Sequence, residues 1–201
     1  MSTASNTVLS PSAPIKSVKH VPGEEGTWVF IYGDMMIFAV IFLTYLHYRG
    51  QQIDLFNDSQ ETLVRGFGAA NTFLLLTSSL FVAVGIRAIN RRRADLAPVL
   101  FIGAMACGLA FAALKFVEYG EKLSVGITPA TNNFYMYYFV LTGLHFFHLI
   151  VGLAILALIT RASSRTEHTA KQYALIEGGA CFWHMVDLLW IILFPMLYLV
   201  N

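Results

Sequence analysis

Charge is what this chain has least of. Only 12% of its 201 residues are Asp, Glu, Lys or Arg, against about 25% in soluble domains. That scarcity excludes a solvated globular domain. The net charge of +1 gives no electrostatic claim on nucleic acid. Cysteine is scarce as well. Cys107 and Cys181 both lie inside apolar runs, so they make neither a disulfide framework nor a metal-ligand spacing. Long polar stretches are missing, and the longest connector between apolar runs is 50–65. Residues 1–22 contain no apolar core of signal-peptide length. They are rich in Ser, Thr and Pro, and read as a flexible cytoplasmic tail retained in the mature protein.

What is present is apolar. Hydrophobic residues make up 57% of the chain, and mean hydropathy is +0.63. Five runs reach the length of about 20 residues that a membrane-crossing helix needs. They cover 27–49, 66–89, 96–119, 134–160 and 174–200. The expected fold is therefore all-α, an integral membrane bundle of five transmembrane helices over 23–201. Of the thirteen Lys and Arg, nine lie on one side: Lys16, Lys19, Arg87, Arg91, Arg92, Arg93, Arg161, Arg165 and Lys171. The positive-inside rule then predicts a cytoplasmic N-terminus and a periplasmic C-terminus. Small residues at Gly103/Cys107, Ala104/Gly108 and Gly178–Ala180 predict close helix approach.

The informative residues are the ionisable ones within spans: Asp34, Lys115, Glu118, His145, His148, Glu177, His184 and Asp187. An Asp or Lys at the centre of an inserted helix costs about 2.5–3.5 kcal/mol, so such groups must pair, sit neutral or face water. Glu177, His184 and Asp187 share one helix face, as do His145 and His148, with Thr142 one turn earlier. Lys115 and Glu118 are spaced for an i,i+3 pair. Asp34 stands alone on the first span, and is expected protonated or hydrogen-bonded to another helix, because removing a carboxylate from water is costly.

Three readings of these groups stay open. In the first, His145, His148, His184 and Asp187 form a hydrogen-bonded clasp between the fourth and fifth spans, since buried polar groups usually satisfy one another. The second is a metal or haem site built on the H-x-x-H pair. A third is a proton or ion path through Asp34, Glu118 and Glu177, which would make the protein a small transporter. Trp183 and Trp190, seven apart, are expected to pack against a neighbouring helix. Most tyrosines, among them Tyr45, Tyr138 and Tyr198, read as an aromatic belt at the membrane surfaces. Pro195 reads as a tolerated membrane proline.

Four stretches, AANTFLLLTSSLFVAVG (69–85), ALKFVEYGE (113–121), YFVLTGLHFFHLIVG (138–152) and EGGACFWHMVDLLWIILF (177–194), resemble subunit III of the haem-copper oxidases. They occur in that family's order, with its T-G-x-H-x-x-H and W-H-x-x-D-x-x-W spacings. The resemblance implies a non-catalytic accessory subunit of a bacterial inner-membrane respiratory complex. Haem and metal would belong to the catalytic partner subunit, and this chain would bind phospholipid. It also implies that Glu118, Thr142, His145, His148, Glu177, His184 and Asp187 are interhelical polar residues. Asp34 falls where many members carry a lipid-facing, carbodiimide-reactive glutamate. Five spans rather than seven resemble the quinol-oxidase form, while the short chain, the Gly33–Asp34 pair and the NTFLLLTSSLFV run are most similar to the branch that accompanies bacterial nitric oxide reductase.

Overall fold

Helix starts and stops in this chain follow local chemistry. The computed structural model describes residues 25–91, 95–164 and 169–200, so the N-terminal tail lies outside the described residues. Six helices run in order: α1 Glu25–Gln51, α2 Ile53–Glu61, α3 Arg65–Asn90, α4 Ala97–Ser124, α5 Asn133–Ser163 and α6 Ala170–Phe194. Pro98 opens α4, where its missing N–H is no loss. Gly126, at φ 79°, lets the chain turn off the end of α4, with the Ile127 N–H bonded to the Lys122 carbonyl at 3.0 Å. Asn132 caps α5 by accepting from the Tyr135 N–H. Thr169 and Gln172 form a reciprocal capping box on α6.

Among the described residues there is no strand. Five helices (α1, α3, α4, α5, and α6 with its extension) are long and apolar enough to cross a membrane, and measure 26 to 31 residues. At 1.5 Å per residue each exceeds the roughly 30 Å hydrocarbon core. The 50–65 connector departs from expectation, because it contains α2. Nine residues are too few, and too polar, to register as an apolar run of spanning length, although the helix is amphipathic. What holds α2 is tertiary: Phe56 is fully buried, edge-on to Tyr45 at 5.4 Å and to Phe134 at 5.7 Å.

Helices α3, α4, α5 and α6 close a four-helix ring, and α1 lies outside it against α5 and α6. Lipid tails are as apolar as leucine, so close packing and hydrogen bonds must hold such a ring. Trp183 shows how. Its ring is wedged between α4 and α5, and a Cβ added at Gly108 or Gly152 would lie 2.9 or 2.8 Å from it. Gly179 lets α6 approach Ile155 of α5, and Gly68 admits Phe194.

Pro195 does more than a tolerated proline would. It cannot donate to the carbonyl one turn back, and from Pro195 to Leu199 the helix widens into a π-helical turn. The Val200 N–H closes that turn on the Pro195 carbonyl at 3.0 Å. Tyr198, on this turn, is fully buried.

Candidate functional site

The polar residues sort into three buried groups. The first is a closed cage. Buried positions on α4 run Phe101, Ala104, Gly108, Phe111, Lys115, Glu118 and Lys122, one stripe that is apolar at one end and charged at the other. Lys115 Nζ lies 2.8 Å from Glu118 Oε2 and donates to the Tyr198 hydroxyl at 2.8 Å. Tyr138 and Tyr198 both donate to Glu118 Oε1, at 2.8 and 2.5 Å. The ammonium also sits 4.8 Å from the Trp190 ring centroid and 5.4 Å from those of Tyr138 and Tyr198. Taking two ions out of water costs several kcal/mol each. Here that cost is offset by a direct pair, three further hydrogen bonds and a shell of rings. Beside the cage, the Tyr119 hydroxyl donates to Thr142 Oγ1 at 2.6 Å, and Thr142 donates to the Tyr138 carbonyl.

Tyr138 and Tyr198, expected in a surface belt, are instead core hydroxyls, as is Tyr45, which donates to the Met196 carbonyl at 3.2 Å. Position near a span end does not reveal whether a ring faces lipid or protein.

The second group ties α1 to α5. Asp34 Oδ1 lies 3.0 Å from His148 Nε2, and His148 Nδ1 is 2.7 Å from the Leu144 carbonyl. A carbonyl only accepts, so Nδ1 carries a proton, and Nε2 and Asp34 share another. The pair is an imidazolium with a carboxylate, or a neutral imidazole with a carboxylic acid. Asp34 is 9% exposed, which corrects the expectation of a lipid-facing carboxylate. The signal was present in the spacing, since Ile31, Asp34, Phe38 and Tyr45 form the buried stripe of α1.

The third group joins α3 to α6. Ser79 Oγ lies 2.6 Å from His184 Nδ1, and the Asp187 carboxyl faces the same hydroxyl. Trp183 Nε1 donates to Ser78 Oγ at 3.0 Å, and Ser78 donates on to the Ala104 carbonyl. Trp190 Nε1 donates to Thr72 Oγ1 at 3.0 Å. Glu177 borders the groove between α3 and α6, together with Arg87, Cys181 and His184.

The clasp expected between the fourth and fifth spans, here α5 and α6, does not form as drawn. His148 turns to α1, while His184 and Asp187 turn to α3. His145 stays between Phe111 and Trp190, with ring centroids 5.6 and 5.3 Å away and neither nitrogen hydrogen-bonded. The reason is geometric: residues sharing a helix face in sequence still have two neighbouring helices to choose between. Among the described residues, no three His, Cys, Asp or Glu side chains converge as a metal ion would need.

The model of the family described as cytochrome c oxidase subunit III matches residues 23–201. This chain belongs to that family. Relatives bear out the breadth of the match. The cytochrome c oxidase subunit 3 of Thermostichus vulcanus is 30% identical over 178 residues, covering 88% of this chain and 86% of its own. That of Synechocystis sp. is 32% identical over 176 residues, covering 87% and 74%. The cytochrome bo(3) ubiquinol oxidase subunit 3 of Buchnera aphidicola is 27% identical over 195 residues, covering 96% and 95%. Subunit III membership thus spans relatives named for cytochrome c and for quinol.

Several residues of this subunit III-type bundle carry more than sequence reasoning assigned them. Thr72, Ser78 and Ser79 each accept or share a bond from α6, yet small hydroxyls inside a span look neutral. Asn71 is fully buried with both amide atoms unbonded. The legible signal was Asn71, Ser78 and Gly85 at steps of seven, all buried.

Proposed function

We propose that this chain is a non-catalytic accessory subunit of a respiratory complex, a haem-copper oxidase or a nitric oxide reductase, in a bacterial plasma membrane. The family match over residues 23–201 carries this reading. The haem and metal reside in the catalytic partner subunit, and this chain contributes a rigid intramembrane scaffold. The structure suits that role. Asp34–His148 fastens α1, Ser78 and Ser79 fasten α3 to α6, and the Lys115–Glu118 cage fastens α4, α5 and the end of α6. Its N-terminus is cytoplasmic, as the distribution of Lys and Arg supports.

Two finer assignments belong to the same reading. The complex is of the nitric oxide reductase branch, supported by Gly33–Asp34 and the hydroxyl-rich run at 71–82. Phospholipid binds in the apolar groove of about 470 Å³ between α1 and α5–α6, lined by Phe30, Val151, Ile155, Leu175 and Phe182.

Affinity purification of the chain in mild detergent tests the assignment, with haem absorbance, mass spectrometry of co-purified subunits, and oxygen and nitric oxide consumption. A haem-bearing subunit is expected in stoichiometric amount, with nitric oxide consumed. Oxygen consumption alone would move the chain to the oxidase branch. Stoichiometric haem or copper in the isolated chain would overturn the accessory role.

A further inference from the structure

The molecular surface at mid-membrane depth is uneven. The outward faces of α1, α4 and α5 carry Val40, Leu43, Leu109, Phe147 and Ile150 there, all exposed and all apolar. Thr77 is exposed on α3, but it gives its only hydroxyl hydrogen to the Phe73 carbonyl of its own helix. Such surfaces suit acyl chains. The groove between α3 and α6 does not. It encloses about 270 Å³, and its walls include Arg87, Glu177 and His184. His184 lies fourteen residues into α6, roughly 21 Å along its axis, so it stands near the bilayer midplane.

The hydrogen bonds around His184 define what the groove lacks. Ser79 Oγ and His184 Nδ1 lie 2.6 Å apart and satisfy one another. The Ser79–His184 bond occupies Nδ1 and leaves Nε2 over, an acceptor or an N–H donor according to the tautomer. The hydrogen bond of His184 to the described residues is the one on Nδ1, and Asp187 Oδ1 is buried without a partner. Facing lipid, an unsatisfied polar group costs several kcal/mol, so this groove is not a lipid-facing surface. A second copy of the chain fits poorly as an occupant. Its other faces are apolar at this depth and offer the groove no polar partner.

We propose that the α3–α6 groove is the docking surface for a transmembrane helix of the catalytic subunit, one that presents a hydroxyl or amide at the depth of His184. This inference rests on the accessory-subunit reading and adds which side of the bundle meets the partner. Helix α1 then lies on the lipid side, away from the interface.

The test is site-specific photo-cross-linking in native membranes, with a benzophenone amino acid at Ala83 or Leu188 beside the groove, and at Val40 or Leu43 on α1. Mass spectrometry identifies the adducts. Adducts to the haem-bearing subunit are expected from Ala83 and Leu188 but not from α1. Adducts from the groove to lipid or to a second copy would overturn the proposal, as would capture of the haem-bearing subunit from α1 alone, or no protein adduct from the groove in a complex that purifies intact. A bulk-only variant gives a second readout. Ala83→Trp should lower recovery of the catalytic subunit at least tenfold while the chain's own thermal melt is unchanged, and Ala39→Trp on α1 should change recovery less than twofold. Recovery within twofold for Ala83→Trp would also overturn it. If no haem-bearing subunit co-purifies with the unmodified chain, the accessory-subunit reading itself fails.

Discussion

The Lys115–Glu118 cage and the His184–Ser79–Asp187 group are both ionisable clusters inside a membrane bundle, yet they are finished differently. In the cage, Lys115 and Glu118 are 1% and 2% exposed, and both Glu118 oxygens accept hydrogen bonds. Around His184 the ring is half-buried, one side is bonded, and Asp187 Oδ1 is left over. A closed cluster spends its hydrogen-bonding capacity on cohesion within the chain. An open one keeps capacity for something outside it. The contrast separates residues that hold this subunit together from residues available to hold it to another.

Removing one half of the cage should have the largest effect. Glu118→Ala leaves Lys115 charged and enclosed, at a cost on the order of 3–5 kcal/mol, which thermal unfolding in detergent should register as near-complete loss of folded chain. Replacing both partners, as Lys115→Met with Glu118→Leu, should recover part of that loss, the remainder reflecting the Tyr138 and Tyr198 hydroxyls left without their acceptor. If the single variant melted like the parent, the cage would not be a stabilising unit.

Asp34→Ala comes next. It strips His148 Nε2 of its one partner, for about 1–3 kcal/mol. The damage should be local, because α1 lies outside the ring. Faster hydrogen exchange in α1 than in α3–α6 is the expected reading, and uniform exchange would show that α1 is held by packing alone. Ser79→Ala should be the mildest, about 1 kcal/mol in the isolated chain, with a larger effect on retention of the catalytic subunit. Equal losses in the two measurements would erase the distinction between the closed and open clusters.

Much of the fold was legible beforehand, and for a physical reason. A bilayer demands long apolar helices with every backbone group satisfied internally. Composition and run length therefore announce the five spans, and the Lys115–Glu118 pair follows from helical spacing within a single element. Helix α2 escaped because nine amphipathic residues fall below the length at which an apolar span is recognised. The polar network was harder. Asp34 was visible as costly but not as the partner of His148, and the hydroxyls of Ser78, Ser79, Tyr138 and Tyr198 looked unremarkable until their partners came into view.

The chain alone settles that this is a membrane bundle and which side chains cannot face lipid unaided, because transfer cost and helical period belong to the residue and its own helix. Which helix each of those side chains turns to was decided only in three dimensions. His148 chooses α1 and His184 chooses α3, while His145 keeps to the rings of Phe111 and Trp190. That choice depends on helix order around the ring, on glycines that admit Trp183 between α4 and α5, and on the π-turn after Pro195 that carries Tyr198 inward. None of these is a property of one helix.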